Sequence, residues 1–270
     1  MPRAQIRLLK TLEEFRACER LQLDVWGSLA VGAELLSVTQ KYGGAVVGAL
    51  VGGRVVGFIY AFLARRHGRL IHWSHMMAVE AGHRDRGLGF RMKQAHRRHA
   101  LAQGVRSIMW TYDPLQSRNA ALNLTRLGAR VVEFIPNCYG RFPSAIERGL
   151  ESDRFVVDWP VAAGSPKARA ADREPGSLSY PLVNQTRTNR DGFLVNARID
   201  LRLSASADLL VEIPANTDSM RARAMPLARR WRLESRRIFR HYLAAGYRVA
   251  GFLPPSEATR SRCFYLLRRE

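Results

Sequence analysis

Lysine is nearly missing from this 270-residue chain: only Lys10, Lys41, Lys93 and Lys167 stand among 43 cationic side chains. The formal charge of +20 therefore rests on arginine, a bias that codon composition can produce by itself. Charge of this size attracts polyanions. Yet no RNP-type aromatic strand, zinc-finger spacing or basic-zipper heptad accompanies it. A basic protein with an anionic small-molecule ligand is expected, with no specific nucleic-acid partner. Cysteine is scarce too. Cys18, Cys138 and Cys263 are odd in number and far apart, which argues against a disulfide framework and for reduced thiols in a cytoplasm. The N-terminal sequence runs quickly into a charged, helix-like stretch, so no secretory leader is expected.

Uncharged runs of membrane-spanning length are lacking as well. Ala45 to Ala64 comes nearest, but Arg54 interrupts it. An arginine at mid-bilayer costs roughly 2.5–3.5 kcal/mol on insertion scales. Gly52-Gly53 divides the run into two halves rich in Val, Ile, Phe and Tyr, which predicts a β-hairpin rather than a span. No membrane association is expected.

What is present is a succession of strand and helix signals. Ile6 to Leu9 predicts a short strand. Thr11 with Glu14 three residues on forms a capping box that opens a helix to about Val25. A short helix over 34–42, the hairpin, and a strand over 70–79 follow. Then come a helix from Phe90 to Gln103 closed by Gly104, a strand at 107–112, a helix at 119–127, and strands at 129–135 and 154–159. This order predicts a mixed α/β (α+β) domain over residues 1–161. Residues 162–177 have linker composition, with no large apolar side chain. Strands near 178–184, 193–199, 209–213, 247–253 and 263–267, with a long helix at 226–245, predict a smaller C-terminal α+β domain over 178–270.

Val79 to Gly89 lies between a predicted strand and a predicted helix and carries Gly82, Gly87 and Gly89. Glycines allow a tight turn with consecutive N–H groups exposed, and the helix N-terminus behind them adds partial positive charge. Arg84 and Arg86 add full charges. The segment reads as an anion cradle.

The spacing of Arg84, Gly87 and Gly89 resembles the R/Q-x-x-G-x-G/A signature of the GNAT superfamily, with Val79 and Met92 at its flanking apolar positions. The resemblance spans about 1–160 and implies a GNAT-like twisted mixed sheet flanked by helices. It implies acetyl-CoA as co-substrate, with Met77, Ala78 and Val79 along pantetheine and Arg84, Asp85, Arg86, Gly87, Leu88 and Gly89 around the pyrophosphate. It also implies transfer of an acetyl or other short acyl group to a small-molecule amine or peptide acceptor, and it admits a homodimer. The family's next motif, N-x-x-A-x-x-x-Y-x-x-x-G, is only partly kept. Ala120 and Gly128 match, but Ser117 replaces the asparagine and Leu124 the tyrosine. Asn119 and Asn123 are available to contact the cofactor instead. Loss of the usual general acid leaves a non-catalytic acyl-CoA-binding or regulatory protein as the alternative. Asn137 to Gly140, Asp153-Arg154, Trp231-Arg232 and Gly246-Tyr247 resemble a poorly characterised GNAT-like group with a C-terminal extension.

Two catalytic candidates follow. Tyr139, after the strand at 129–135, is the candidate acid in place of Leu124, and His75 beside the cofactor strand is a candidate base. Six of seven histidines fall between His67 and His99. His72 and His75 sit on opposite strand faces unless a bulge intervenes, and His96 and His99 read as a solvated helix face, so no metal is expected. On the long helix Leu227, Trp231, Ile238 and Tyr242 predict a core stripe. Arg229, Arg232, Arg236 and Arg240 form a row that reads either as a solvated basic side or as a site for an acidic ligand.

Overall fold

The structure is a computed structural model that describes residues 3–27, 30–140, 149–162, 180–203, 206–259 and 261–269. The chain gathers into two compact units. One is drawn from within Met1–Trp110 and Asp158–Ser165, the other from within Thr111–Phe142, Glu147–Val157 and Pro166–Glu270. The expected linker at 162–177 lies, Ala162 apart, outside the described residues.

The first unit contains β1 (Gln5–Leu8), α1 (Leu12–Trp26), α2 (Ala33–Lys41), β2 (Ala45–Val51), β3 (Arg54–Arg66), β4 (Arg69–Val79), a 3₁₀ turn (Ala81–His83), α3 (Leu88–Ala102) and most of β5 (Ser107–Tyr112). Strands β1 to β4 pair antiparallel in chain order, and β5 lies parallel beside β4. The hairpin closes as its glycines predict. Val51 faces Arg54, and Gly52 and Gly53 take φ of 57° and 80°, the left-handed pair that suits the twist of the strands. The capping box is also present: Glu14 N–H donates to Thr11 Oγ1 (3.3 Å), and the Glu14 carboxylate accepts from Thr11 N–H (3.4 Å). No described helix is long and apolar enough to cross a membrane.

Both faces of this sheet are covered, which is why β2 and β3 read as continuous apolar runs. Phe15, Cys18 and Leu21 of α1 and Leu36 of α2 pack with Val46, Phe58 and Tyr60. Leu88 and Met92 of α3 pack with Val47, Val56, Ile59 and Ala61 on the other face. Strand β4 changes phase between the two layers. Tyr60 pairs with Met76 and Ala61 with Ser74, so His75 is the extra residue of a β-bulge. Before it, His72 and Ser74 point at α3; after it, Met77 and Val79 do. His75 and Met76 both point to the α1 and α2 side.

The second unit contains the end of β5, α4 (Ser117–Ala120) running into a π turn (Ala121–Arg126), β6 (Arg130–Ile135), most of β7 (Arg154–Pro160), β8 (Asn184–Thr188), β9 (Leu194–Ile199), β10 (Asp208–Ile213), α5 (Asp218–Arg223), α6 (Met225–Ala244), β11 (Tyr247–Leu253) and β12 (Cys263–Arg269). Three strands order as β10-β12-β11, and β8 and β9 form a hairpin. The helix predicted at 119–127 exists with wider turns, Leu127 N–H reaching five residues back to Leu122 O. Of the strand predicted at 178–184, residues 178–179 lie outside the described residues, Leu182 bridges Leu210 in parallel, and β8 itself starts at Asn184, whose buried side chain clasps the Glu212 backbone on both sides (2.8 and 2.9 Å). Phe155, Phe239 and Tyr265 meet edge to face at 4.8 to 5.6 Å and form the aromatic centre.

The apolar stripe of α6 is as predicted, with Trp231, Ile238 and Tyr242 buried. The arginine row is not a ligand row. Arg232 is buried and grips Asp113 with two bonds (2.8 and 2.6 Å), and Arg236 holds Asp153 (2.6 Å) and Glu151 (2.5 Å). Only Arg229 and Arg240 of the four are exposed. Internal carboxylates take up the other two because a buried aspartate needs a paired cation.

Candidate acyl-CoA site

The strand-to-helix loop has the geometry of an anion cradle. Glu80 N–H bonds Val56 O (2.9 Å), and Arg84 Nε donates to Val79 O (3.0 Å), so both ends of the loop are tied to strand backbone. Glu80 is bound by Arg54 (2.8 Å twice) and His83 (2.9 Å), with the Arg54 bonds doing most to lower its pKa. That takes up the acidic charge at the strand end of the loop. Arg84, Asp85 and Arg86 are exposed along the loop.

Gly87 caps α3 with φ of 73°, and no side chain caps this helix end. The first helical bond is Arg91 N–H to Gly87 O (3.1 Å), so the earlier N–H groups point out along the axis. Nothing lies within 4 Å of where a Gly87 side chain would begin; the need for glycine there is the left-handed backbone and the open approach to the helix end. Leu88, by contrast, has its side chain in the α3 core, leaving only its backbone to the loop.

Strand β4 adds an edge to this cradle. Its parallel pairing with β5 covers only His72↔Ile108 and Trp73↔Met109. From Ser74 onward, among the described residues, β4 pairs with β3 alone, with Met77, Ala78 and Val79 opposite Ile59, Phe58 and Gly57. Backbone groups of Ser74 to Val79 that point away from β3 thus form an edge able to pair with an extended ligand. A family profile described as Acetyltransferase (GNAT) family matches residues 8–129, which includes all of these elements. Residues 8–129 are thus similar to the GNAT acetyltransferase family.

Solved structures similar to the chain include the NatC complex bound to Gag peptide and CoA, with 16% identity over 60% of this chain and 100% of that one and a TM-score of 0.49. An N-acetyltransferase from Staphylococcus aureus is 16% identical over 59% of this chain and 99% of that one, with a TM-score of 0.48. The ribosomal-protein-S18-alanine N-acetyltransferase from Escherichia coli is 15% identical over 60% and 97%, also with a TM-score of 0.48. A search of the curated proteins found no match.

Around the β4 edge, the histidines differ from the sequence expectation. His96 is fully buried and not part of a solvated face. Its Nε2 lies 2.9 Å from His72 Nδ1, and His72 Nε2 lies 2.9 Å from Gln103 Oε1. Gln103 must accept, so His72 carries its proton on Nε2 and takes a bond from His96 Nε2–H. Burial lowers both, His72 to about 4 and His96 well below the usual imidazole value. His75, on the bulge, is exposed between the rings of Tyr60 (6.1 Å) and Phe62 (6.0 Å), and the surrounding protein lowers its pKa. Among the described residues no three His, Cys, Asp or Glu gather as metal ligands.

Sequence reasoning missed Lys93. It lies on α3 with 2% of its surface exposed, and its Nζ donates to Ser74 Oγ (3.1 Å) and sits 3.5 Å above the Trp110 ring. Burial lowers it to about 7. The available signal was a lysine in register with Ala100 and three residues before His96, on the helix face that Met92 marks as inward.

The second unit holds the other candidates. Tyr139 is 45% exposed; its hydroxyl meets Thr111 Oγ1 (3.1 Å), its N–H donates to Ser152 Oγ (2.7 Å), and Arg154 lies 5.4 Å from the ring. Burial raises its pKa. Leu124 is buried. Ser117 donates to Ala215 O, Asn119 is half-buried on α4, and Asn123 is buried with its carbonyl bound to Ala129 N–H (2.9 Å). Sequence reasoning also missed the charge of Asp113. Burial acts to raise it, but Arg232 outweighs burial and holds it at about 2.

Proposed function

We propose that the protein transfers an acyl group, acetyl in the simplest case, from CoA to an amine of a small molecule or peptide. The observation that carries this reading is the pairing of an uncapped α3 N-terminus behind Gly87 with a β4 edge left unpaired by β5. Arg84, Asp85, Arg86, Gly87, Leu88 and Gly89 would hold the pyrophosphate, chiefly through backbone N–H groups. Met77, Ala78 and Val79 would pair with the pantetheine amides, and Asn119 and Asn123 are assigned to contact the cofactor. Residues 1–161 are assigned to acyl-CoA binding, and 178–270 to a second α+β domain.

In the reaction the amine nitrogen attacks the thioester carbonyl, the C–N bond forms, and the C–S electron pair leaves on sulfur. Alignment of the two partners and backbone donors to the developing negative charge supply most of the acceleration in such chemistry. His75 is assigned to take the amine proton; its lowered pKa keeps the imidazole neutral and able to accept at pH 7. Tyr139, with its raised pKa, is assigned to protonate the thiolate. Leu124 in the usual acid position favours one other reading, a binding module without turnover.

Acetyl-CoA or CoA is expected to raise the melting temperature of the purified protein. Ligand at 100 times its Kd adds about 2.7 kcal/mol. Gly87→Val should abolish the shift, since a β-branched residue resists φ of 73°. An unchanged melting curve of the wild type at millimolar CoA would remove the proposal.

A further inference from the structure

Lys93 occupies a particular place in the first unit. Ser74 is the first β4 residue past the last pair with β5, and Trp110 is the β5 residue after Met109 of that pair. Lys93 touches both, so a cation enclosed by α3 and the sheet lies where the two strands part. Among the described residues no carboxylate pairs with it, and the tryptophan face is its electrostatic partner.

An ammonium has three donors and no acceptor. While Lys93 is protonated, Ser74 Oγ must accept from it, and the Ser74 hydroxyl proton is turned elsewhere. Once Lys93 is neutral, Ser74 can donate to its lone pair instead. The charge on Lys93 thus sets the direction of the Ser74 hydroxyl.

We propose that Ser74, oriented by the Lys93 ammonium, is a hydrogen-bond donor to the negative charge that develops at the thioester as its C–S bond breaks, with Lys93 the positioning residue behind it. This rests on the acyl-transfer reading. No proton leaves Lys93 in the step: the electron pair goes to sulfur, the amine proton leaves through His75, and sulfur is protonated afterwards. Of the groups packed on the same side, His72 and His96 are neutral above pH 5, His99 Nε2 meets Gly44 O (3.1 Å), and the Asp158 carboxylate on β7 accepts from Ser107. Lys93, at the point where the strands part, loses its charge near pH 7.

The test measures free thiol released from acetyl-CoA with hydroxylamine as acceptor, between pH 5.5 and 9, in wild type, Lys93→Met and Ser74→Ala. CoA binding by thermal shift is measured beside it. Removing one such donor typically lowers turnover by about 10²–10³-fold. Ser74→Ala should approach that loss with CoA binding kept. The ratio of wild type to Lys93→Met should be large at pH 6 and shrink toward one above pH 8, as the wild-type lysine loses its charge. A ratio that does not change with pH, or a Ser74→Ala rate equal to wild type, overturns the proposal and leaves acyl transfer standing. A wild type that binds CoA but releases no thiol overturns both. If Lys93→Met does not fold, Ser74→Ala and an NMR titration of the four lysines decide. One lysine should titrate near pH 7 in wild type, and Ser74→Ala should move it; no shift between the two refutes the coupling.

Discussion

Tyr139 keeps its phenolic proton at neutral pH because burial raises an already high pKa, whereas burial drives Lys93 toward losing its own. The same physical cause therefore gives one residue a proton to hand over and leaves the other responsive to pH. Tyr139→Phe keeps the ring beside Arg154 and removes only the hydroxyl that meets Thr111. Turnover is expected to fall at least about 10²-fold, the lower bound for general acid catalysis, with CoA binding unchanged. Thiol release at the wild-type rate would leave solvent or His75 as the donor. Leu124 was legible as a departure from the family pattern because residue identity alone decides whether a side chain carries a proton. Lys93 was not, because its significance lies in burial. The sequence shows a lysine three residues before a histidine, and only packing reveals that both face inward.

At the scale of elements the sequence carried most of the first unit, for local reasons. The Thr11–Glu14 box and the Gly52-Gly53 turn need only neighbours within a few residues, and both are present as read. Thr11→Ala should cost about 1 kcal/mol in urea denaturation, the usual worth of an N-cap. Glu14 behaves differently because Arg7, its main partner, holds it at about 2. Its folded pKa lies below the unfolded value, so its contribution is complete above about 4.5 and is lost as pH falls toward 2. The stability difference between wild type and Glu14→Gln should shrink over that window. A constant difference would show that the Arg7 pair contributes nothing. The bulge at His75 was not legible, since an extra residue in one strand shows only against its partner's register. The π turn at Ala121–Arg126 escaped for a related reason: its residues keep helical character while the bonds reach one position further. Asn184 clasping Glu212 is a long-range contact, beyond the reach of a reading from neighbouring residues.

At the scale of the whole molecule, limited proteolysis should cut first between Ala162 and Ser177, where composition has least to bury. First cleavage elsewhere would remove that linker assignment. The two pieces should elute together after the cut, because Asp113 and Asp153 before the linker are held by Arg232 and Arg236 after it. The boundary between the compact units was beyond sequence reading, since it falls inside β5, whose six residues read as one uniform strand. The clasp of α6 on those aspartates has a consequence for descent. A gene cut at the linker would leave its upstream product with two carboxylates stripped of their cations, and with Phe155 bared where Phe239 and Tyr265 had covered it. A substitution at Arg232 or Arg236 alone would likewise leave Asp113 or Asp153 buried without its principal cation.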